Sequence, residues 1–243
     1  MDNIKCNAIV LSSKDYKEKD KIITLFSPDR GKFNAVLKSV KIANAKLKFA
    51  AQPFCFGEFM LVEHCGMYTV SGCTLVESFY EITTDLNKYY VGGAILEATS
   101  AIVLPEQIES GLFIEILKAL KNLAYSSINE RIILIKFFLN IFSALGYKFS
   151  FTKCASCGCN FTVKRFLNLN NGEICCGQCH TYDSIEISPE VHSCFRIINS
   201  TEYDRLDSVK INIDVLTLTL KLAKLLFSLK FNYDLHTIKL LAD

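Results

Sequence analysis

Two cysteine pairs carry the clearest chemistry in the chain. Cys154-x-x-Cys157 and Cys176-x-x-Cys179 are 18 residues apart, in a segment that holds six of the eleven cysteines. A tight Cys-x-x-Cys turn presents two sulfurs from one loop. Two such knuckles supply the four soft donors of a tetrahedral zinc site, with Zn–S near ~2.3 Å. Gly158 and Gly177 suit the tight backbone at each knuckle. Cys159 and Cys175 flank the set, and either can replace a neighbour as ligand. Cys176 is preferred to Cys175 because it keeps two residues between itself and Cys179. His180 is adjacent but surplus to four thiolates. A catalytic zinc keeps one position open and needs an acid/base close by, as in the His-x-Glu and Pro-Cys-x-x-Cys pattern of zinc deaminases. That pattern is absent, and so is the βαβ setting of a thioredoxin-like redox pair. The spacing therefore predicts one structural Zn²⁺ on Cys154, Cys157, Cys176 and Cys179.

The second feature is charge. Formal net charge is only +2 over 243 residues, yet residues 1–50 hold eleven Lys/Arg against five Asp/Glu. A basic first fifth on a near-neutral chain points to a localised polyanion site. Lys14, Lys17, Lys19 and Lys21 precede and enter one predicted strand. Arg30 and Lys32 flank a turn. Lys38, Lys41, Lys46 and Lys48 fall in and after the next strand. Lysines converging on a groove would bind phosphates by counterion release. Tyr16, Phe33, Phe49 and Tyr68 are candidate platforms for unpaired bases, whereas Phe26 is expected in the core.

The elements that must position these groups fall into four stretches. Residues 1–80 contain five runs rich in β-branched and aromatic residues: KCNAIVLSS, DKIITLFS, GKFNAVLKSV, PFCFGEFMLVEHC and MYTVSGCTLVES. Ser27–Gly31 and Cys65-Gly66 read as turns between them. Five short strands suit an OB-fold barrel. Residues 81–150 read as helices over Asp85–Leu104, Ser110–Tyr125 and Asn129–Leu145. Leu86, Tyr89, Tyr90, Ile95 and Leu96 are the expected core of the first, and the third is apolar nearly all round. Residues 151–184 form the ribbon. Residues 185–243 return to helix, with a Ser188-Pro189 start and a long helix over Asp214–Leu229 whose expected inner side is Leu218, Leu222, Leu225, Leu226 and Leu229. The fold class is thus α+β: a five-stranded barrel, then an all-helical domain with an inserted four-cysteine zinc ribbon.

Enzymatic signatures are missing. There is no P-loop, no dinucleotide fingerprint, no H-E-x-x-H and no G-x-S-x-G, and the four histidines are scattered. No small-molecule substrate is expected. MDNIKCNAIVLSS lacks a signal-peptide core, and IILIKFFLNIF is broken by Lys136 and too short to span a bilayer. A cytoplasmic, nucleoid-associated chain with reduced thiols and no membrane partner is the expectation.

DYKEKDKIITLFSPDRGKFNAVLKSV, followed by Gln52-Pro53-Phe54, resembles the opening of the bacterial recombination mediator family RecO. FFLNIFSALGYKFSFTKCASCG is similar to the helix that leads into that family's first zinc knuckle, and LHTIKLLAD to its closing signature. The family often has proline where this chain has Phe149, and arginines with a glycine where this chain has lysines and Ser39. The resemblance implies an OB-fold, a helical middle, a zinc ribbon and a helical end. It also implies a non-enzymatic protein that binds single- and double-stranded DNA and anneals complementary strands. Such a protein works with RecR, often RecF, on the C-terminal tail of single-stranded-DNA-binding protein (SSB), so that RecA can load. From a different class, a zinc-ribbon protein-interaction or transcription-associated module without annealing activity is the competing expectation.

Overall fold

The computed structural model describes residues 3–147, 149–161 and 164–240. The last three residues of the closing LHTIKLLAD segment lie outside them. The five expected strands are present: β1 (Asn3–Tyr16), β2 (Asp20–Ser27), β3 (Gly31–Leu37), β4 (Phe56–His64) and β5 (Met67–Glu77). They close into a barrel in the order β1-β2-β3-β5-β4, the OB-fold arrangement. β1 is long enough to serve two neighbours. Asn3–Ile9 pairs with β4 and Ile9–Tyr16 with β2, and a register shift between Val10 and Ser12 bends it from one to the other. The only parallel pairing among the described strands is β3 with β5.

The apolar run Ala8–Leu11 is continuous because both faces of β1 are covered. Ala8 and Val10 point into the barrel, with Ile23, Leu25, Ala35, Leu37, Phe59 and Leu61. Ile9 and Leu11 point outward into a second core shared with the helices, as does Phe26. The expectation for Phe26 holds: it is fully buried.

The helical domain contains a short turn α1 (Tyr80–Thr83), then α2 (Leu86–Ile102), α3 (Ser110–Tyr125), α4 (Glu130–Ala144), α5 (Pro189–Ser200) and α6 (Ile213–Phe231). Asp85, Asn129, Ser188 and Asn212 cap α2, α4, α5 and α6 with side-chain oxygens, and Pro189 opens α5. α4 runs through the centre, with ten consecutive or nearly consecutive side chains buried from Ile132 to Phe142. Lys136 is among them. Its Nζ donates to the Asn199 carbonyl in the last turn of α5 at 2.9 Å, where a helix leaves acceptors free and its dipole is negative.

Two expected apolar faces are corrected. Leu86 and Tyr89 on α2 are 66% and 44% exposed, and the buried face is Val91, Ala94, Ile95, Leu96 and Ala98. On α6, Leu218, Leu225 and Leu229 face outward, and Leu216, Thr219, Leu220, Ala223, Leu226 and Phe227 face inward. Leucines lie all round this helix, so periodicity alone leaves the stripe undetermined. The inner face uses small residues where α4 and α5 approach, and Thr219 hides its hydroxyl on the Val215 carbonyl at 2.7 Å.

The turn between β2 and β3 is pinned to the α2–α3 connection. Glu106 N donates to Lys32 O at 3.0 Å, and Ser110 Oγ donates to Pro28 O at 3.0 Å. Gly31 sits at φ +67°, and a Cβ there would meet Gln107 O at 2.2 Å, so only glycine fits.

Candidate nucleic-acid interface and metal site

β6 (Arg165–Asn168), β7 (Ile174–Cys176) and β8 (Ser184–Ile187) form a small antiparallel sheet in the order β7-β6-β8. Leu167, Ile174 and Ile187 pack into the main helical core. Phe151 stacks on Phe195 of α5, ring centres 5.9 Å apart. The ribbon is therefore a lobe of the helical domain.

At its tip, the sulfurs of Cys154, Cys157, Cys176 and Cys179 all lie within 4.8 Å of one another. Gly158, at φ +71°, closes the first knuckle by donating to Cys154 O at 2.9 Å, and Cys179 N closes the second on Cys176 O at 3.1 Å. Sulfurs around a tetrahedral ion with Zn–S near ~2.3 Å stand ~3.8 Å apart; Cys157 and Cys176 are 3.9 Å apart. Burial pushes the Cys154 thiol up, but backbone N–H groups of Cys157, Cys176 and Ser156 outweigh it and bring its pKa down to about 6. This donor set fits a thiophilic metal ion, whose ligands must be thiolates.

The flanking cysteines touch the cluster but are not among the four whose sulfurs converge. Successive strand residues face opposite ways, so Cys175 turns inward beside Ser156 Oγ at 3.5 Å, while Cys176 faces the site. Cys159 is exposed, and its thiol, raised foremost by its hydrogen bond with Cys157, sits at about 12. His180 is held elsewhere: its ring stacks on Phe166 at 4.1 Å and its Nδ1 lies 2.9 Å from Gly177 O.

The basic residues separate into groups. From Arg30 to Gly57 the chain contains six Lys/Arg and no Asp/Glu. The stretch after β3 folds back onto the β1–β2 hairpin, where Ser39 N donates to Asp20 Oδ1 at 2.8 Å and Lys41 N to Lys19 O at 3.0 Å. That gathers Lys14, Lys19, Lys21, Lys38 and Lys41 at one end of the barrel. Lys41 and Lys21 share Asp15, at 2.9 and 3.4 Å. The hydrogen bond from Lys41 is the first cause holding the Asp15 carboxyl below its usual range. Lys46 and Lys48 continue along the same stretch, both exposed.

Arg30 and Lys32 lie at the opposite end of β2 and β3, roughly 23 Å away at ~3.3 Å per residue. Arg30 borders a depression of about 520 Å³ with Lys5, Phe33, Tyr68, Asp29 and Glu106. Lys32 turns away from the barrel surface, and its Nζ donates to the Ser100 carbonyl at the end of α2 at 2.5 Å. Burial lowers its pKa. Long-range packing of this kind has no local sequence signal. Lys17 is a further exposed cation of the hairpin end, over the Tyr16 ring at 5.1 Å.

A closed OB barrel fused to a helical domain, with a four-cysteine ribbon lobe and a lysine-rich hairpin end, defines a two-part OB-fold protein. Family models agree at both ends: "Recombination protein O N terminal" matches residues 1–79 and "Recombination protein O C terminal" matches residues 83–229. The chain belongs to the recombination protein O (RecO) family. It is 30% identical over 211 residues to the DNA repair protein RecO of Desulforamulus reducens, covering 86% of this chain and 82% of that protein. It is 26% identical to that of Clostridium novyi, covering 87% and 82%, and 26% identical to that of Caldicellulosiruptor bescii, covering 91% and 92%. Among the described residues no helix is long and apolar enough to cross a membrane.

Proposed function

We propose that this chain is a DNA repair and recombination mediator. It binds single- and double-stranded DNA through the hairpin end of the barrel and holds two backbones close enough for complementary strands to anneal. With RecR, and in some settings RecF, it acts on strands covered by SSB, engaging the SSB tail, so that RecA can load. No step in this role breaks or makes a covalent bond. The single observation that supports it most is the acid-free segment that folds its lysines onto the β1–β2 hairpin. Clustered ammonium groups release counterions from a polyanion without reading its sequence. Zn²⁺ on Cys154, Cys157, Cys176 and Cys179 serves to hold the ribbon.

The test is the salt dependence of oligonucleotide binding. Lys38, Lys41, Lys46 and Lys48 changed together to alanine should weaken single-strand and duplex binding alike. The log–log salt slope should flatten by ~0.7–0.9 for each phosphate contact removed. An unchanged slope would refute the reading.

A further inference from the structure

Beside the lysine-rich segment, the seam between barrel and helices opens a cavity of about 470 Å³. Its walls come from Phe49, Gln52 and Pro53 before β4, Leu75 and Ser78 at the end of β5, Tyr80 and Thr83 on α1, and Tyr89 on α2. Among the described residues no charged side chain lines it. Two of its rings are unusually open: Tyr80 is 67% and Tyr89 44% exposed. Tyr89 is nevertheless fixed, because it packs edge-on against the buried Phe54 ring at 5.9 Å and 78°. A rigid, exposed aromatic face costs little entropy to use.

The surroundings indicate the occupant. Phe49 on the wall directly follows Lys48, and Lys46 lies two residues earlier, both exposed. On the other side of Tyr89 a second cavity, of about 380 Å³, shares Pro53, Phe54 and Tyr89 with the first and has in its wall Lys14 and Glu97, the latter's carboxylate occupied by donors from Tyr233, His236 and Thr237. An uncharged aromatic chamber is thus bordered by lysines on both sides. The Gln52 amide and the Ser78 hydroxyl offer donors and acceptors inside it, and Thr83 Oγ1, which donates to the Tyr80 carbonyl at 2.7 Å, offers an acceptor. That pattern matches one nucleotide: a flat apolar ring with polar edges, carried on an anionic backbone.

We infer that this chamber takes an unpaired base of a single DNA strand, stacked on Tyr89 and Tyr80, while Lys14, Lys46 and Lys48 hold the flanking phosphates. The inference rests on the DNA-binding reading above and adds a preference for unpaired strands. A paired base is stacked within its duplex and cannot enter. During annealing, duplex formation would then withdraw bases from the chamber and favour release of the product.

The experiment compares wild type, Tyr80→Ala/Tyr89→Ala and Tyr80→Phe/Tyr89→Phe on three probes of equal length: a thymine oligonucleotide, the same backbone with abasic sites, and a duplex. The alanine pair should lose ~10-fold on the thymine strand and less than about twofold on the abasic strand and duplex, where no base reaches the rings. The phenylalanine pair keeps the rings and should retain wild-type affinity for the thymine strand, which also separates stacking from misfolding. Unchanged thymine-strand affinity in the alanine pair, or equal losses on all three probes, would overturn the base chamber and leave the lysine surface standing. Failure of wild type to hold any probe would overturn the DNA-binding reading itself, and the chamber with it.

Discussion

Glu97 offers a decisive test of how the end of the chain is held. It projects from α2, and four donors converge on its carboxylate. Tyr233 Oη donates to Oε1 at 3.2 Å and His236 N to the same oxygen at 2.9 Å. Thr237 N donates to Oε2 at 3.0 Å, and the Thr237 hydroxyl donates to it as well. These bonds hold the 3-10 turn Thr237–Leu240 against α2. Burial pushes the Glu97 carboxyl up, but the donors outweigh it and leave its pKa below the usual value. Glu97→Gln keeps the shape and removes the charge. One oxygen becomes an NH₂ group facing a hydroxyl, which can turn to accept from it, and a backbone N–H, which cannot, so either orientation forfeits one backbone bond and the charge behind the other three. Bonds to charged groups contribute ~1.5–3 kcal/mol each when dry; Glu97 is partly exposed, and with screening the lost bond and the weakening of the other three come to about 2 kcal/mol in total. The tail can undock without unfolding the domain, so the change is expected in local opening rather than in Tm. About 2 kcal/mol corresponds to ~30-fold faster hydrogen exchange at the His236 and Thr237 amides. The pH dependence follows from the sign of the shift. A carboxyl lowered on folding stabilises above its unfolded value of ~4.3, and that stability is lost as pH falls through the folded value. Wild-type protection, corrected for intrinsic exchange, should therefore fall below roughly pH 4, while the Gln variant stays flat. Equal protection of the two proteins at neutral pH, or parallel pH profiles, would refute the reasoning.

Two other outcomes are expected. Purified protein should carry about one zinc per chain, and chelation or Cys154→Ser should remove it and lower Tm by about 5 °C or more, whereas Cys159→Ser should retain the metal; a metal-free protein with unchanged melting would contradict the site. Lys32→Met should lower the urea unfolding free energy by ~1 kcal/mol, through loss of its bond to Ser100 O. It should reduce DNA affinity less than Lys38→Met does; the reverse order would place Lys32 on the DNA surface.

Much of this architecture was legible in local pattern. The five strands, Ser110–Tyr125 as a helix, the Ser188-Pro189 start and the buried Phe26 each depend on neighbours within a turn or a strand, where periodicity and capping chemistry act. The Cys-x-x-Cys pairs were legible for the same reason: each knuckle is a four-residue unit. The Cys175–Cys176 ambiguity also has a local answer, because β7 sends the two side chains to opposite faces. Leu86 and Tyr89 lie in the opening turn of α2, ahead of its buried stretch from Val91 to Thr99, and Leu218, Leu225 and Leu229 were misplaced because a leucine on a helix rich in leucine carries no information about which neighbour will arrive. Only the positions of α4 and α5 select the face.

The split of the basic residues is the sharpest case of the same limit. Composition and spacing alone determined that the first fifth of this chain is cationic, that it folds as a five-stranded barrel and that four cysteines share one knuckled segment. These properties follow from residue type and order over a few positions. Tertiary structure decided where the charges point. A β-strand moves two lysines apart by its length, and a returning loop brings two others together, so Lys41 meets Lys21 at Asp15 while Lys32 is drawn inward to the carbonyl of Ser100. The same packing sets Phe49, Tyr80 and Tyr89, far apart in the chain, around one cavity. Contacts between residues distant in sequence depend on which elements are adjacent in space, and that is settled by burial of the whole core rather than by any one segment.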